Sequence, residues 1–202
     1  MPLPKLEMTI FETILARRSV RSYLKQTVDK VTISALLEAA VRAPTAIHQE
    51  PWAFVIIQDR ALLRNLSDRA KPIFLAEENE NDSASHNKLS DTMFDIFDSP
   101  DFNIFYNANT LILICGRTGL PFVSADCWLA AENLMLAACA MRLGSCIISS
   151  ALPALNMPEV RHDLNIPNEF SVVVPIIVGY PDAENAPSLR KSPVILSSIA
   201  AP

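Results

Sequence analysis

Ala131-Glu132-Asn133-Leu134-Met135-Leu136-Ala137-Ala138, running on to Leu143-Gly144-Ser145-Cys146, is the stretch that sets the layout of this chain. It is the middle of a helix predicted over Ser124 to Arg142. Trp128, Leu129, Leu134, Met135, Leu136, Ala137 and Ala138 leave that helix almost no polar face. A helix that is apolar nearly all round belongs between layers or inside an interface, not on a surface. At about 18 residues and about 27 Å it suits a domain's central helix or a dimer contact. Gly144 stands where a C′ glycine would end it, and Cys146-Ile147-Ile148 reads as a short strand beyond.

Outward from this helix, Trp52 to Ile57, Thr110 to Cys115 and Val172 to Val178 are nearly unbroken apolar runs. Such runs are strands of a sheet covered on both faces. Pro175 has no N–H to give to a ladder, which places it at an edge or a bulge. Thr9 and Glu12 form a T-x-x-E capping box ahead of Ile10, Phe11, Ile14 and Leu15, predicting a first helix. Further helices are expected over Ile33 to Arg42, ended by Pro44, over Ala61 to Ala70, and over Pro153 to Leu164 with a break at Pro158. Strands separated by helices give an α+β fold in layers. Residues 77–107 mix acids with Met93, Phe94, Ile96, Phe97 and Phe102, and read as a long surface excursion with a short amphipathic helix. A segment of this kind is either a solvated stretch or a lid. The proline-rich tail from 181 to 202 is extended and lies along something else. No repeat or linker divides the chain, so 1–202 is read as one domain.

The 202 residues are half apolar and 19% charged, enough to fill a core, with a formal net charge of −5. That acidity disfavours nucleic acid as a partner, which needs clustered cations. No stretch approaches the roughly 20 apolar residues of a membrane span, and the start does not read as a signal peptide. The expected location is the cytoplasm. Cys115, Cys127, Cys139 and Cys146 contain no CxxC, and His48, His86 and His162 are scattered, so neither a metal site nor a disulfide framework is expected. With only 4 glycines, neither GxGxxG nor GxxxxGK[ST] is present. A nucleotide phosphate would therefore have to be held by side chains.

Four segments could do this. Arg17-Arg18-Ser19-Val20-Arg21 gathers permanently charged, forked donors and a hydroxyl, suited to phosphate or an anionic ring edge. The same cluster could instead complement the end of the first helix. Ala43-Pro44-Thr45-Ala46-Ile47-His48-Gln49-Glu50-Pro51-Trp52 is a proline-stiffened loop between helix and strand, able to present backbone groups to a flat ligand. His48 reads equally as a structural hydrogen-bonder, and Trp52 as core. Gly144 to Ser150 offers small residues at a strand, either for close approach or as an ordinary turn. Arg190-Lys191 is a basic pair in the tail, either solvated or completing a phosphate site.

In this order the segments resemble the nitroreductase family of FMN proteins. The resemblance is carried by R-R-S-V-R at 17–21, A-P-T-x-x-H-x-E-P-W-A-F at 43–54, the helix at 131–138 with L-G-S-C at 143–146, V-G-Y-P at 178–181, and Arg190. It implies a three-layer fold with a central, mostly antiparallel sheet flanked by helices. It also implies an intertwined homodimer with FMN at the subunit interface. Arg17 and Ser19 would face the phosphate, with Arg18 beside them, and Arg21 the N1/C2=O edge of the isoalloxazine. Arg190, with Lys191, would close on the phosphate. Pro44, Thr45 and Ala46, followed by His48, would come from the other protomer. Ser149 and Ser150 would lie near flavin N5. Many members have Asn at His48 and Gln at Glu50, differences that bear on substrate preference. Asn103 is the candidate for the family's ring-contacting Asn. The implied activity is a ping-pong cycle in which NADH or NADPH reduces the flavin and a small-molecule acceptor of nitroaromatic or quinone type reoxidises it, with no protein residue assigned as catalytic. A flavin-dependent dehalogenase, a flavin-fragmenting enzyme, a non-catalytic flavin-binding protein and a cofactor-free helical scaffold remain as alternatives.

Overall fold

The apolar runs pair as β1 Trp52–Ile57, β2 Thr110–Arg117, β3 Gly144–Ile147 and β4 Phe170–Gly179, in the order β1-β2-β4-β3, every pair antiparallel. The computed structural model describes residues 8–81, 95–183 and 190–199. Side chains alternate across the sheet, and both faces are covered. Leu111, Leu113, Cys115 and Ile177 belong to one buried cluster. Ile112, Ile114, Val174, Ile176 and Val178 belong to another. This is why the strands read as continuously apolar.

The helices are α1 Ile10–Ala16, α2 Lys30–Ala40, α3 Arg60–Asn81, α4 Val123–Ala140, α5 Leu152–Leu155 and α6 Pro158–Asp163. The faces of α2 and α4 fill the second cluster. Those of α3, α5 and α6, with Phe97, Ile104 and Phe105, fill the first. The result is helix, sheet, helix in three layers, with α4 between the sheet and α2.

The structure corrects several sequence expectations. α3 runs through Pro72 to Asn81. Ile73, Phe74 and Leu75 pack on the core beyond the proline, and that burial outweighs the cost of about 3 kcal/mol for an interior proline. The later part of the 77–107 excursion is core, since Asn103, Ile104 and Phe105 are buried. The acidic centre of that excursion, 82–94, and the tail residues 184–189 and 200–202 lie outside the described residues. Pro175 is not on an edge strand. It pairs with Leu113 in the interior, next to a bulge at Ile114/Cys115. Its carbonyl accepts from Ile148 N, 2.9 Å away, on the β3 side. Its missing N–H therefore points past the last paired residue of β3, where no ladder partner is needed. Finally, Gly144 does not cap α4. Arg142 takes the left-handed conformation at φ 59°, Leu143 N donates to Ala138 O and Arg142 N to Cys139 O. This is a Schellman end built without glycine.

Candidate functional site: the basic segment on the edge of the sheet

Helix α1 is short because both of its ends are defined. The Thr9/Glu12 capping box opens it, and Arg17 leaves helical geometry at ψ 132°. From there the chain is extended and joins the open side of β3. Ser19 bridges Ser145 in parallel and Tyr23 bridges Pro181 antiparallel. Val20 N donates to Ser145 O at 3.0 Å, Leu24 N to Tyr180 O at 2.9 Å and Asp182 N to Ser22 O at 3.1 Å. The period of two turns Val20 into the core and leaves Ser19 and Arg21 outward.

Two glycines permit this contact. A Cβ on Gly144 would stand 2.7 Å from the Val20 side chain, and one on Gly179 would stand 2.8 Å from Tyr23. Gly144 is thus kept for close approach of the basic segment, and not for a turn.

The three guanidiniums have different surroundings. Arg17 Nε lies 3.6 Å from Glu132 Oε1 on α4. Arg18 Nη1 donates to Leu15 O at 2.5 Å and Arg17 O at 2.7 Å, closing the end of α1. Its Nε is buried with no partner. Arg21 is exposed, its guanidinium carbon 5.8 Å from the centre of the Tyr106 ring. Beneath them, burial pushes the Cys146 thiol up from its ordinary value, opposed by Arg21, by a hydrogen bond with Ser19, and by Arg17. The thiol stays neutral, and the net charge of the segment is that of its arginines.

The strand β3 connects this edge to Ser149 and Ser150. Both lie in the turn Ser149–Ala151 that follows it, Ser149 exposed and Ser150 half-buried. The small-residue stretch therefore runs from a partner of Ser19 to the two serines.

The loop after α2 is held in a costly shape. Ile47, His48 and Glu50 have φ of 54°, 53° and 44°, values that side-chain-bearing residues adopt only where the surroundings enforce them. Asp126, in the first turn of α4 and 3% exposed, accepts from Ala46 N at 3.1 Å. Its other oxygen is buried without a partner. Pro44 and His48 are exposed, Thr45 and Ala46 half-buried.

Arg190 and Lys191 are exposed in the tail. Among the described residues no hydrogen bond or ion pair joins them to 17–21. Asn103 is buried, and its Oδ1 accepts from Phe105 N at 2.8 Å, shaping the local turn. Asp126, Glu132 and Tyr106 have no site role in the sequence reading, and Cys146 enters it only as part of the 144–150 stretch. Asp126 had one legible signal, an acid in a helix with almost no polar face.

Two cations, Arg17 and Arg21, and the Ser19 hydroxyl thus share one sheet edge, and a strained loop at 47–50 lies elsewhere on the same scaffold. Residues 14–180 match the Nitroreductase family. The chain belongs to the nitroreductase family.

Several relatives agree. A solved nitroreductase with bound FMN from Bacteroides fragilis NCTC 9343 superposes with a TM-score of 0.72 at 30% identity, over 95% of this chain and 97% of that one. A protein of Archaeoglobus fulgidus named as an NADH dehydrogenase/NAD(P)H nitroreductase is 26% identical over 176 residues, 85% of this chain and 84% of its own. An iodotyrosine deiodinase of Thermotoga neapolitana is 26% identical over 190 residues, 93% and 96% of the two chains. The three-layer nitroreductase fold expected from the motifs is the fold observed. Among the described residues no helix is long and apolar enough to cross a membrane.

Proposed function

We propose that this nitroreductase-family chain binds FMN as a homodimer and works as an NAD(P)H-dependent flavin oxidoreductase. The observation that carries the reading is the pinning of Arg17 to Arg21 against β3 by Val20 N and Ser145 O, 3.0 Å apart. It fixes a cationic, hydroxyl-bearing edge without any glycine-rich phosphate loop.

The donor set fits FMN. Arg17 and Ser19 supply a charged fork and a hydroxyl for a phosphate monoester, and Arg21 supplies a separate cation for the ring edge. Bound FMN would supply the two-electron chemistry, taking hydride from NADH or NADPH and giving it to an oxidised acceptor of nitroaromatic or quinone type. The protein's part is to hold and polarise. A fixed guanidinium at Arg21 favours negative charge on the ring edge without reorganisation. Arg17 keeps a share of its charge on Glu132 until an anion competes for it. Pro44, Thr45 and Ala46, with His48, form a preshaped loop whose geometry is set by Asp126. Ser149 and Ser150 are assigned to the reactive edge of the ring, and Arg190 and Lys191 to the phosphate.

Exposed apolar surface supports the dimer. On α1, Phe11 is 75% and Leu15 73% exposed, and in the tail Leu196 is 96% exposed. Phe11 and Leu15, one helical turn apart, put adjacent apolar side chains on the surface of α1, as an interface does. Assembly would also bring the tail arginine and the 44–48 loop to a neighbouring protomer's basic edge. We place the protein in the cytoplasm, where NAD(P)H is found and the four thiols, all free in the structure, stay reduced.

The test is the visible spectrum of the purified protein reconstituted with FMN, before and after anaerobic addition of NADH or NADPH. Bleaching of the flavin, and its return on adding a quinone or nitroaromatic, is expected. A protein that neither retains FMN nor bleaches would overturn the reading. Sedimentation at micromolar concentration tests the dimer.

A further inference from the structure

The geometry points to Tyr106 as a positioning residue that aims Arg21 at the flavin ring edge, so that the inner end of the 77–107 excursion tunes the flavin's reduction potential. This rests on the assignment of Arg21 to bound FMN. Arg21 is an exposed, long and flexible side chain, and an unheld guanidinium samples many rotamers. Its guanidinium acts electrostatically on Tyr23 and Cys146, and the aromatic face it lies over is the Tyr106 ring, 5.8 Å from the guanidinium carbon. A cation over an aromatic face is attracted to the ring's quadrupole.

Tyr106 is itself held unusually firmly. It sits at φ 50° and is followed by Asn107 at φ 54°. Two consecutive left-handed residues with side chains are strain that persists only under outside constraint. The constraints are visible. Tyr106 N donates to Asn103 O at 2.8 Å, and Ala108 N to Phe105 O at 2.9 Å. The Phe102 ring meets Tyr106 edge-on at 5.6 Å and 82°. Phe102 is tied to α3 in turn, because the nearly buried Lys71 Nζ donates to its carbonyl at 3.1 Å and to that of Ser99 at 3.1 Å. The chain of contacts Lys71–Phe102–Tyr106–Arg21 links α3 and the excursion to the basic edge. Tyr106 packs against the core beside Phe102, and such packing does not by itself require a strained backbone that holds a half-exposed ring against a cation.

The experiment compares Tyr106→Phe, Tyr106→Leu, Tyr106→Asn and Arg21→Ala, each reconstituted with FMN. The readouts are the FMN dissociation constant and the flavin midpoint potential. Tyr106→Phe keeps the π face and should match the wild type. Tyr106→Leu should weaken FMN binding about two- to fivefold and move the potential negative, in the same direction as Arg21→Ala but less far. Adding Tyr106→Leu to Arg21→Ala should change the potential no further, because the residue it aims is gone. Asn tolerates positive φ, so Tyr106→Asn gives the same answer if the leucine variant does not fold. A wild-type potential in both Tyr106→Leu and Tyr106→Asn, with Arg21→Ala shifted, overturns the role of Tyr106 alone. A wild-type potential in Arg21→Ala overturns the assignment of Arg21 beneath it.

Discussion

Replacing Gly144 by alanine tests whether the basic segment is held where the chemistry needs it. The added Cβ would lie 2.7–2.8 Å from the Cβ and both γ-carbons of Val20, while ordinary contact begins at 3.4 Å. The 17–21 segment must therefore withdraw from β3 by about 0.7 Å, because Val20 is buried and Gly144 is fixed in β3. That movement stretches the 3.0 Å hydrogen bond from Val20 N to Ser145 O toward about 3.7 Å, beyond useful length. Overpacking costs about 1–3 kcal/mol and the lost bond about 0.5–1.5 kcal/mol. The expected loss is thus about 1.5–4.5 kcal/mol, at about 2–4 °C in Tm for each kcal/mol. FMN binding should weaken at least about tenfold, since donors displaced by this much no longer match the phosphate. Thermal unfolding, fluorescence-quenching titration with FMN and hydrogen exchange at the Val20 amide read the three effects. Trimming Val20 to alanine in the same chain should not restore FMN binding, because the Val20 Cβ is itself one of the clashing atoms. Wild-type Tm, Val20 protection and FMN affinity in Gly144→Ala would refute the close approach of these two segments.

Arg21→Ala should weaken FMN binding about 10- to 100-fold, the range for a lost charge-assisted hydrogen bond, and make the flavin potential more negative. Unchanged flavin content and potential in a dye-equilibration experiment would remove Arg21 from the site. Asp126→Ala removes the acceptor of the Ala46 amide and should cost about 1–3 kcal/mol, with faster hydrogen exchange at Ala46 and poorer FMN retention. Undiminished protection at Ala46 would show that the strained loop is held by something else. Burial pushes the Cys115 thiol from 9.0 up to about 11 and the Cys127 thiol up to about 12. Both thiols ionise more readily in the unfolded chain, so the folded state keeps this stabilisation below about pH 9 and loses it progressively as pH rises through about 11 to 12. Urea unfolding across pH 8–11 should show stability falling above about pH 9, and a Cys115→Ala/Cys127→Ala variant should show a flatter alkaline limb. An equally steep limb in that variant would assign the alkaline loss to other groups.

The layered architecture was legible in the sequence because it follows from local and periodic signals. Unbroken apolar strands such as Thr110 to Cys115 can be satisfied only with both faces covered. The Thr9/Glu12 capping box needs no distant partner. Family membership was legible in the order of R-R-S-V-R, A-P-T-x-x-H and L-G-S-C, and the scarcity of glycine left side chains to hold any phosphate. The tertiary structure alone decided what depends on contacts between remote segments. Sequence spacing cannot show that Val20 lies against Gly144, that Arg18 closes α1 while Arg21 meets Tyr106, or that Asp126 holds the loop at Ala46. Each of these is a pairing across the chain, set by which surfaces the sheet and helices bring together. The same holds for Pro175, where a strand neighbour's end makes an interior proline tolerable, and for α3, where core burial carries a helix through Pro72. Periodicity specifies which face of an element is buried; only packing specifies what it is buried against.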